Sequence, residues 1–232
     1  MDLMLLGYEN VFTISLFIIG LAIVLVAQSK VNGAFNKYKR VKTTKGMSGF
    51  EVARLILDKN GLENIHVVET KGNLTDHYDP SRKVIRLSKE IFHGDSIASV
   101  AVAAHEVGHA IQHKQKYIYM SIRSMLAPVV NIVTHIGYFV MFISLFAGIT
   151  TYLMFGILII LAALVFQLVT LPVEFDASKR ANKELIGLGI ISSSESTQTK
   201  RMLDAAAMTY VASVVATIIN LLRLIIMARG RD

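Results

Sequence analysis

Four apolar segments dominate the chain, and each is long enough to cross a bilayer as a helix. A membrane-spanning helix needs roughly 17–25 mostly apolar residues. Of the 232 residues, 53% are hydrophobic and only 18% are charged, whereas soluble domains carry about 25% charged residues. This composition excludes a typical soluble protein and a disordered one. The predicted spans are Val11 to Ala27, Met125 to Ile149, Tyr152 to Val173 and Ala206 to Ala228.

Basic residues flank the first span on its C-terminal side. The leader before the span, MDLMLLGYEN, contains no lysine or arginine, which is wrong for a cleaved signal peptide and predicts a retained anchor. The positive-inside rule places the basic flank in the cytoplasm and the N-terminus outside. The flank consists of Lys30, Lys37, Lys39, Arg40, Lys42 and Lys45.

Alternation of the four spans then fixes the predicted topology. Residues 28–124 and 174–205 fall in the cytoplasm, and Gly148 to Thr151 forms a tight outer hairpin. The C-terminus falls outside although it carries arginines, which the same rule disfavours. The formal net charge of +7 is therefore interpreted as a topology signal, and no nucleic-acid partner is expected.

Helix signals bracket the stretch between the first two spans. Ser48 and Glu51 have the spacing of a capping box, which predicts a short helix after Ser48. Asp95 or Ser96 can cap a longer helix that continues to about His113.

Short β-branched runs between these helices predict strands. They lie at His66 to Glu69 and Lys83 to Leu87, and Leu74 to Tyr78 is a third candidate. The predicted fold class is a mainly α membrane protein, with about four transmembrane helices and a small α+β part in the cytoplasm.

The longer helix contains His105-Glu106-Val107-Gly108-His109, an HExxH pattern. Residues four apart on a helix differ by about 40° around its axis, so both histidines project from one face and can chelate one ion. Zinc binds imidazole nitrogen at about 2.0 Å. Glu106 projects beside the pair, where it can take a proton from a metal-bound water. The pattern predicts His105 and His109 as zinc ligands and Glu106 as the catalytic base.

A catalytic zinc site needs a third protein ligand and one open position. The metzincin pattern would require glycine and histidine where this chain has Gln112 and Gln115. A carboxylate from another segment remains, and Glu174 directly follows the third span on its cytoplasmic side. The rival Asp176 would point about 200° away on a helix. We predict Glu174 as the third ligand.

Motifs spread over nearly the whole chain carry a family resemblance. TDHYDP, AAHEVGHAIQH, LPVEFDASKRA and AAAMTYVAS together resemble the bacterial YugP-type neutral zinc metallopeptidases, which are similar to the membrane gluzincins. The resemblance implies a zincin-like soluble part, a Zn²⁺ cofactor and a location in the bacterial cell membrane. In this chain Ser178 stands where the gluzincin EFxAD segment has an aspartate that orients a ligand histidine. Ser178 and Asp176 are both candidates for that bond.

Together these features predict a membrane-embedded zinc endopeptidase whose active site faces the cytoplasm and which uses the whole chain as one unit. Its partners would be a protein or peptide substrate and the lipid bilayer. The strand around Lys83 to Leu87 is expected to offer a sheet edge to the peptide. An oxyanion-stabilising group is also expected, and the candidates, none of them preferred, are His77, His113, Tyr117 and Arg180.

Two other functions differ from this one in the motifs that they require. An intramembrane protease would have HExxH inside an apolar span and a downstream LDG motif, but this motif is flanked by charged residues and no LDG occurs. A non-catalytic metal-binding scaffold or adaptor is the alternative to the peptidase. Structural zinc sites normally close with four protein ligands, and three obvious ligands occur here. The sequence does not predict the oligomeric state.

Overall fold

The computed structural model describes residues 3–147 and 153–229, which are mainly helical. The predicted hairpin Gly148 to Thr151 lies outside these residues. The helices are α1 (Leu3–Tyr38), α2 (Gly49–Lys59), α3 (Lys89–His93), α4 (Ile97–Lys114), α5 (Ile118–Ala147), α6 (Leu153–Gly187) and α7 (Ser193–Arg229). The strands are β1 (His66–Thr70), β2 (His77–Asp79) and β3 (Val84–Ser88).

The chain divides into two compact units. The helical unit contains α1 up to Gln28, α5 from Ile122, α6 up to Leu171 and α7 from Thr209. The α+β unit contains Ser29–Ser121 and Pro172–Met208. Four long helices, α1, α5, α6 and α7, therefore contribute residues to both units.

Three helices in the described part of the chain are long and apolar enough to cross a membrane. They are Val11–Tyr38, Met154–Gly187 and Ser193–Ala228, and they include the first and fourth predicted spans and the third from Met154 onward. Helix α5 covers most of the second predicted span, and its crossing of the membrane stays a prediction. Helix α6 continues through Pro172 without a break in its helical assignment, so the residues after the third span belong to the same helix.

A three-stranded sheet forms one layer of the α+β unit, in the order β1-β3-β2. Strand β3 pairs in parallel with β1, so that Val67 lies opposite Ile85, and antiparallel with β2, so that Tyr78 lies opposite Ile85 from the other side. The prediction that the Lys83 to Leu87 strand offers an open edge is therefore wrong, because both of its sides are occupied. The edges belong to β1 and β2.

The helices of the α+β unit begin where the sequence predicts. The Ser48 side chain accepts a hydrogen bond from the Glu51 backbone N–H, and the Glu51 carboxylate accepts one from the Ser48 N–H, which confirms the capping box. Ser96 caps α4 through the N–H of Ser99. Helix α2 packs against α4 over a fully buried apolar core. That core includes Val52, Ile56, Leu57, Ile85, Leu87, Ile97, Val100 and Val107.

Gly108 allows α4 and α6 to approach closely within the α+β unit. A Cβ atom at this position would lie 2.6 Å from the backbone carbonyl oxygen of Ala177, closer than unbonded atoms can pack. Gly108 lies inside the HExxH pattern, and Ala177 lies three residues after Glu174. The close approach thus brings the predicted ligands of the two helices together.

Candidate metal centre

His105, His109 and Glu174 converge at the contact between α4 and α6. Their ligand atoms all lie within 4.8 Å of one another. The Glu174 Oε2 atom is 3.3 Å from His105 Nε2 and 3.7 Å from His109 Nε2. His109 and Glu174 are buried, with 7% and 2% of their surfaces exposed. Each predicted ligand therefore points toward the same small volume.

The chemistry and spacing of these atoms fit zinc. Two imidazole nitrogens and one carboxylate oxygen are ligands that Zn²⁺ prefers in catalytic sites. Tetrahedral bonds of about 2.0–2.1 Å imply ligand atoms about 3.3–3.4 Å apart. The two His–Glu174 distances of 3.3 and 3.7 Å lie close to that value, so a zinc ion can be held with small side-chain adjustments.

Glu106 is buried beside this cluster and lies on α4 with the two histidines. Burial raises the pKa of its carboxyl to about 7, and the negative charges of Glu174 and Asp76 act in the same direction. His105 and a hydrogen bond from the Tyr78 backbone act in the opposite direction, toward a lower pKa. A carboxyl group with a pKa near neutrality can both accept and return a proton.

Ser178 contacts the first histidine of the pattern. Its Oγ lies 3.2 Å from His105 Nδ1, within hydrogen-bonding distance. Of the two groups that the sequence offered for this bond, Ser178 therefore makes it. A hydroxyl group takes the place of the aspartate found in the gluzincin pattern, so His105 has a weaker, uncharged partner.

Asp176 acts at the second histidine through an intermediate residue. The Oε1 atom of Gln112 lies 3.0 Å from His109 Nδ1. Its Nε2 atom donates a hydrogen bond of 2.8 Å to Asp176. Asp176 also accepts a hydrogen bond from Arg180. The sequence singled out Gln112 only as a departure from the metzincin pattern. Its position about one helical turn after His109 was the sequence feature that could have indicated a contact with that histidine.

Each of the four candidate oxyanion-stabilising side chains contacts another residue. His113 Nδ1 is 2.9 Å from the hydroxyl of Tyr78. The Arg180 guanidinium lies 5.8 Å from the centre of the Tyr117 ring and donates to Gln115. The exposed His77 ring is 2.8 Å from the Thr75 carbonyl oxygen. These contacts favour none of the four side chains as the oxyanion donor.

Comparisons with known proteins agree with this chemistry. The sequence model of the family described as "Putative neutral zinc metallopeptidase" matches residues 13–229. The "Putative membrane protease YugP" of Bacillus subtilis (strain 168) is 42% identical over 220 residues, which cover 94% of this chain and 98% of that protein. No solved structure matches the chain. The family match and the high identity over nearly full length show that the chain belongs to the "Putative neutral zinc metallopeptidase" family.

Proposed function

We propose that the protein is a membrane-embedded zinc endopeptidase, with His105, His109 and Glu174 as metal ligands and Glu106 as the general base. The observation that carries the proposal is the convergence of the three ligand atoms beside a buried glutamate. Membership of a zinc metallopeptidase family supports the same assignment.

The residues divide the chemistry of peptide hydrolysis between them. Zinc, when bound, supplies a Lewis acid that polarises the scissile carbonyl and lowers the pKa of a water molecule. The Glu106 carboxylate takes a proton from the attacking water and delivers it to the leaving amide nitrogen. The carbon–nitrogen bond breaks, and one carboxylic acid and one amine form. A pKa of about 7 for Glu106 suits a group that must gain and lose a proton in one cycle.

Strand β2 is the sheet edge best placed to hold the peptide. It is an edge strand, it packs against α4, and the backbone of its Tyr78 lies close enough to Glu106 to lower the pKa of that carboxyl. An extended peptide that adds to this edge through main-chain hydrogen bonds would pass beside the general base. We therefore assign the peptide-binding edge to β2 in place of the strand after Lys83.

The site is proposed to face the cytoplasm, on the strength of the basic flank after the first span. The chain contains no cysteine, so single engineered cysteines report their side of the membrane without background. Lys71→Cys, on an exposed loop of the α+β unit, is expected to react with an impermeant maleimide only after spheroplasts are opened. Labelling of intact spheroplasts would reverse the assigned orientation.

Turnover by Glu106→Gln tests the mechanism. We expect cleavage of a casein-type or membrane-protein substrate to fall by about 10²–10⁴-fold, while one zinc per chain is retained. Glu63→Gln, which removes an exposed carboxylate from a loop of the same unit, is the matched control and should cleave like the wild type. Equal cleavage by Glu106→Gln would remove the general-base assignment. A zinc-loaded wild type that cleaves no peptide in a broad library would favour the non-catalytic scaffold.

A further inference from the structure

Gln112 joins the two helices that carry the metal ligands. It lies on α4 and its side chain is fully buried, with 0% of its surface exposed. Its Oε1 atom is 3.0 Å from His109 Nδ1, and its Nε2 atom is 2.8 Å from both the Val173 carbonyl oxygen and Asp176 Oδ2. Val173 and Asp176 flank Glu174 on α6.

These partners fix the orientation of the Gln112 amide. A backbone carbonyl only accepts hydrogen bonds, and so does an ionised carboxylate. The Val173 carbonyl oxygen accepts from the Gln112 amide, and the Arg180 guanidinium donates to the same Oδ2 atom of Asp176. The NH₂ group of Gln112 must therefore face α6, and its carbonyl oxygen must face His109.

The amide orientation in turn fixes which ring nitrogen of His109 carries a hydrogen. The Gln112 oxygen can only accept, so Nδ1 of His109 must carry the hydrogen. In the neutral ring the lone pair then lies on Nε2, the atom that faces Glu174 at 3.7 Å. This is the tautomer that a metal ligand needs, because the ligating nitrogen must be unprotonated.

We propose that Gln112 is a positioning residue that holds His109 in its metal-binding tautomer and ties the ring to the segment of α6 that carries Glu174. The inference rests on the proposed function, because it assigns a role at the same metal centre. The Gln112 amide then does for His109 what Ser178 does for His105. It also couples the two halves of the site, since it bonds to α6 on both sides of Glu174.

Cobalt titration of the metal-free, full-length protein tests this role. Co²⁺ binding is followed by visible absorption, so the readout does not depend on activity. Gln112→Met keeps the length of the side chain and removes all three hydrogen bonds. We expect the Co²⁺ dissociation constant to rise by about 10–100-fold, the usual effect of removing an outer partner of a ligand histidine. An unchanged constant would overturn the proposal.

The tautomer of His109 separates positioning from packing. In ¹⁵N-histidine NMR of the metal-free protein, the wild type is expected to show a protonated Nδ1 on His109, and Gln112→Met is expected to lose that preference. If Gln112→Met binds Co²⁺ weakly but keeps the wild-type tautomer, with a matching loss of thermal stability in the metal-free state, the role of Gln112 is only structural.

Two further results keep the test decisive. If Gln112→Met does not fold, ¹⁵N-histidine NMR of the zinc-loaded wild type must show a protonated Nδ1 and an unprotonated Nε2 for His109, and the opposite tautomer overturns the proposal. If the wild type itself binds neither Co²⁺ nor Zn²⁺, the proposed metal centre fails. If the wild type binds both metals and the Gln112 variants bind Co²⁺ equally well, only the role of Gln112 fails.

Discussion

The two units of the chain use apolar side chains in opposite ways. In the helical unit, large apolar residues point outward, as shown by Ile18 and Ile132 with 56% and 62% of their surfaces exposed. In the α+β unit, Ile56 and Leu87 are fully buried against neighbouring helices and strands. Lipid can cover the first kind of surface, whereas the second kind is hidden from water by the protein itself. The first kind of surface suits the candidate membrane spans of the helical unit, and the second kind is the packed core of the α+β unit.

Buried polar side chains in the α+β unit lie where the candidate chemistry lies. Glu106, His109, Gln112 and Glu174 are all buried around one point, and Ser178 borders it. Burial of polar groups is costly unless they are paired or bind a metal. The α+β unit therefore carries this cost at the candidate metal centre, and its apolar core packs around α4, which carries the two histidines.

Matched isoleucine substitutions should show the largest contrast between the units. Ile56→Ala leaves a cavity in a packed core and should lower the free energy of unfolding by about 2–5 kcal/mol. Ile18→Ala should cost less than about 1 kcal/mol, because a lipid-facing side chain loses little when lipid fills its place. Denaturant titration in mixed micelles measures both. Equal losses at the two positions would remove the distinction between a packed core and a lipid-facing surface.

A charge in the first span tests the lipid-facing surface directly. Ile18→Lys lies near the middle of the predicted span, where a lysine costs about 2.5–3.5 kcal/mol of insertion free energy. Ser29→Lys, in the basic flank of the same helix, is the control and should insert normally. The membrane-inserted fraction is measured after alkaline extraction.

The same substitution at Ile132 asks whether α5 is a fourth span. If α5 crosses the bilayer, Ile132→Lys should reduce insertion as Ile18→Lys does. Normal insertion of Ile132→Lys would limit the chain to three spans, and normal insertion of Ile18→Lys would contradict the anchoring role of α1.

Gly108→Ala tests the close approach of α4 and α6. The new methyl group would lie 2.6 Å from the Ala177 carbonyl oxygen, so the helices must separate. We expect a loss of about 1–3 kcal/mol in stability together with weaker zinc binding. Gly33→Ala is the control, because no atom lies within 4 Å of its added Cβ, and an alanine inside a helix stabilises by up to about 1 kcal/mol. Full zinc affinity in Gly108→Ala would show that the site tolerates a wider separation.

The smallest expected effect is at the start of α2. Ser48→Ala removes the capping hydrogen bond to the Glu51 N–H and should cost about 1 kcal/mol of stability. Thermal unfolding of the α+β unit within the intact chain measures this. Zinc affinity should remain unchanged, because the cap is not part of the metal centre. A loss of zinc binding would connect α2 to the site more directly than the described contacts do.

Local sequence patterns were sufficient to predict several elements of the fold. The capping box, the strand after His66 and the helix that contains HExxH all depend on residues close in sequence, and the structure confirms them. Strand β2 is shorter than the strand predicted at Leu74 to Tyr78. Leu74 has a positive φ of 55°, and only His77 to Asp79 pairs with β3.

Features that depend on distant parts of the chain were beyond local patterns. The order of the sheet depends on which strands pair, so the central position of β3 could not be deduced from its own residues. The predicted topology and the need for a third ligand pointed to Glu174, but the role proposed for Gln112 depends on an acceptor 64 residues away in Asp176. A glutamine one turn after a ligand histidine gains meaning only when α6 is packed against it.

Zinc X-ray absorption on the wild type and on Glu174→Ala tests the central claim most directly, because it reports the atoms bound to the metal. We expect two imidazole nitrogens at about 2.0 Å and oxygen ligands in the wild type. We also expect a large loss of zinc affinity in Glu174→Ala. One zinc per chain with an unchanged set of ligands in Glu174→Ala, or a wild-type spectrum without two histidines, would contradict a centre formed by His105, His109 and Glu174.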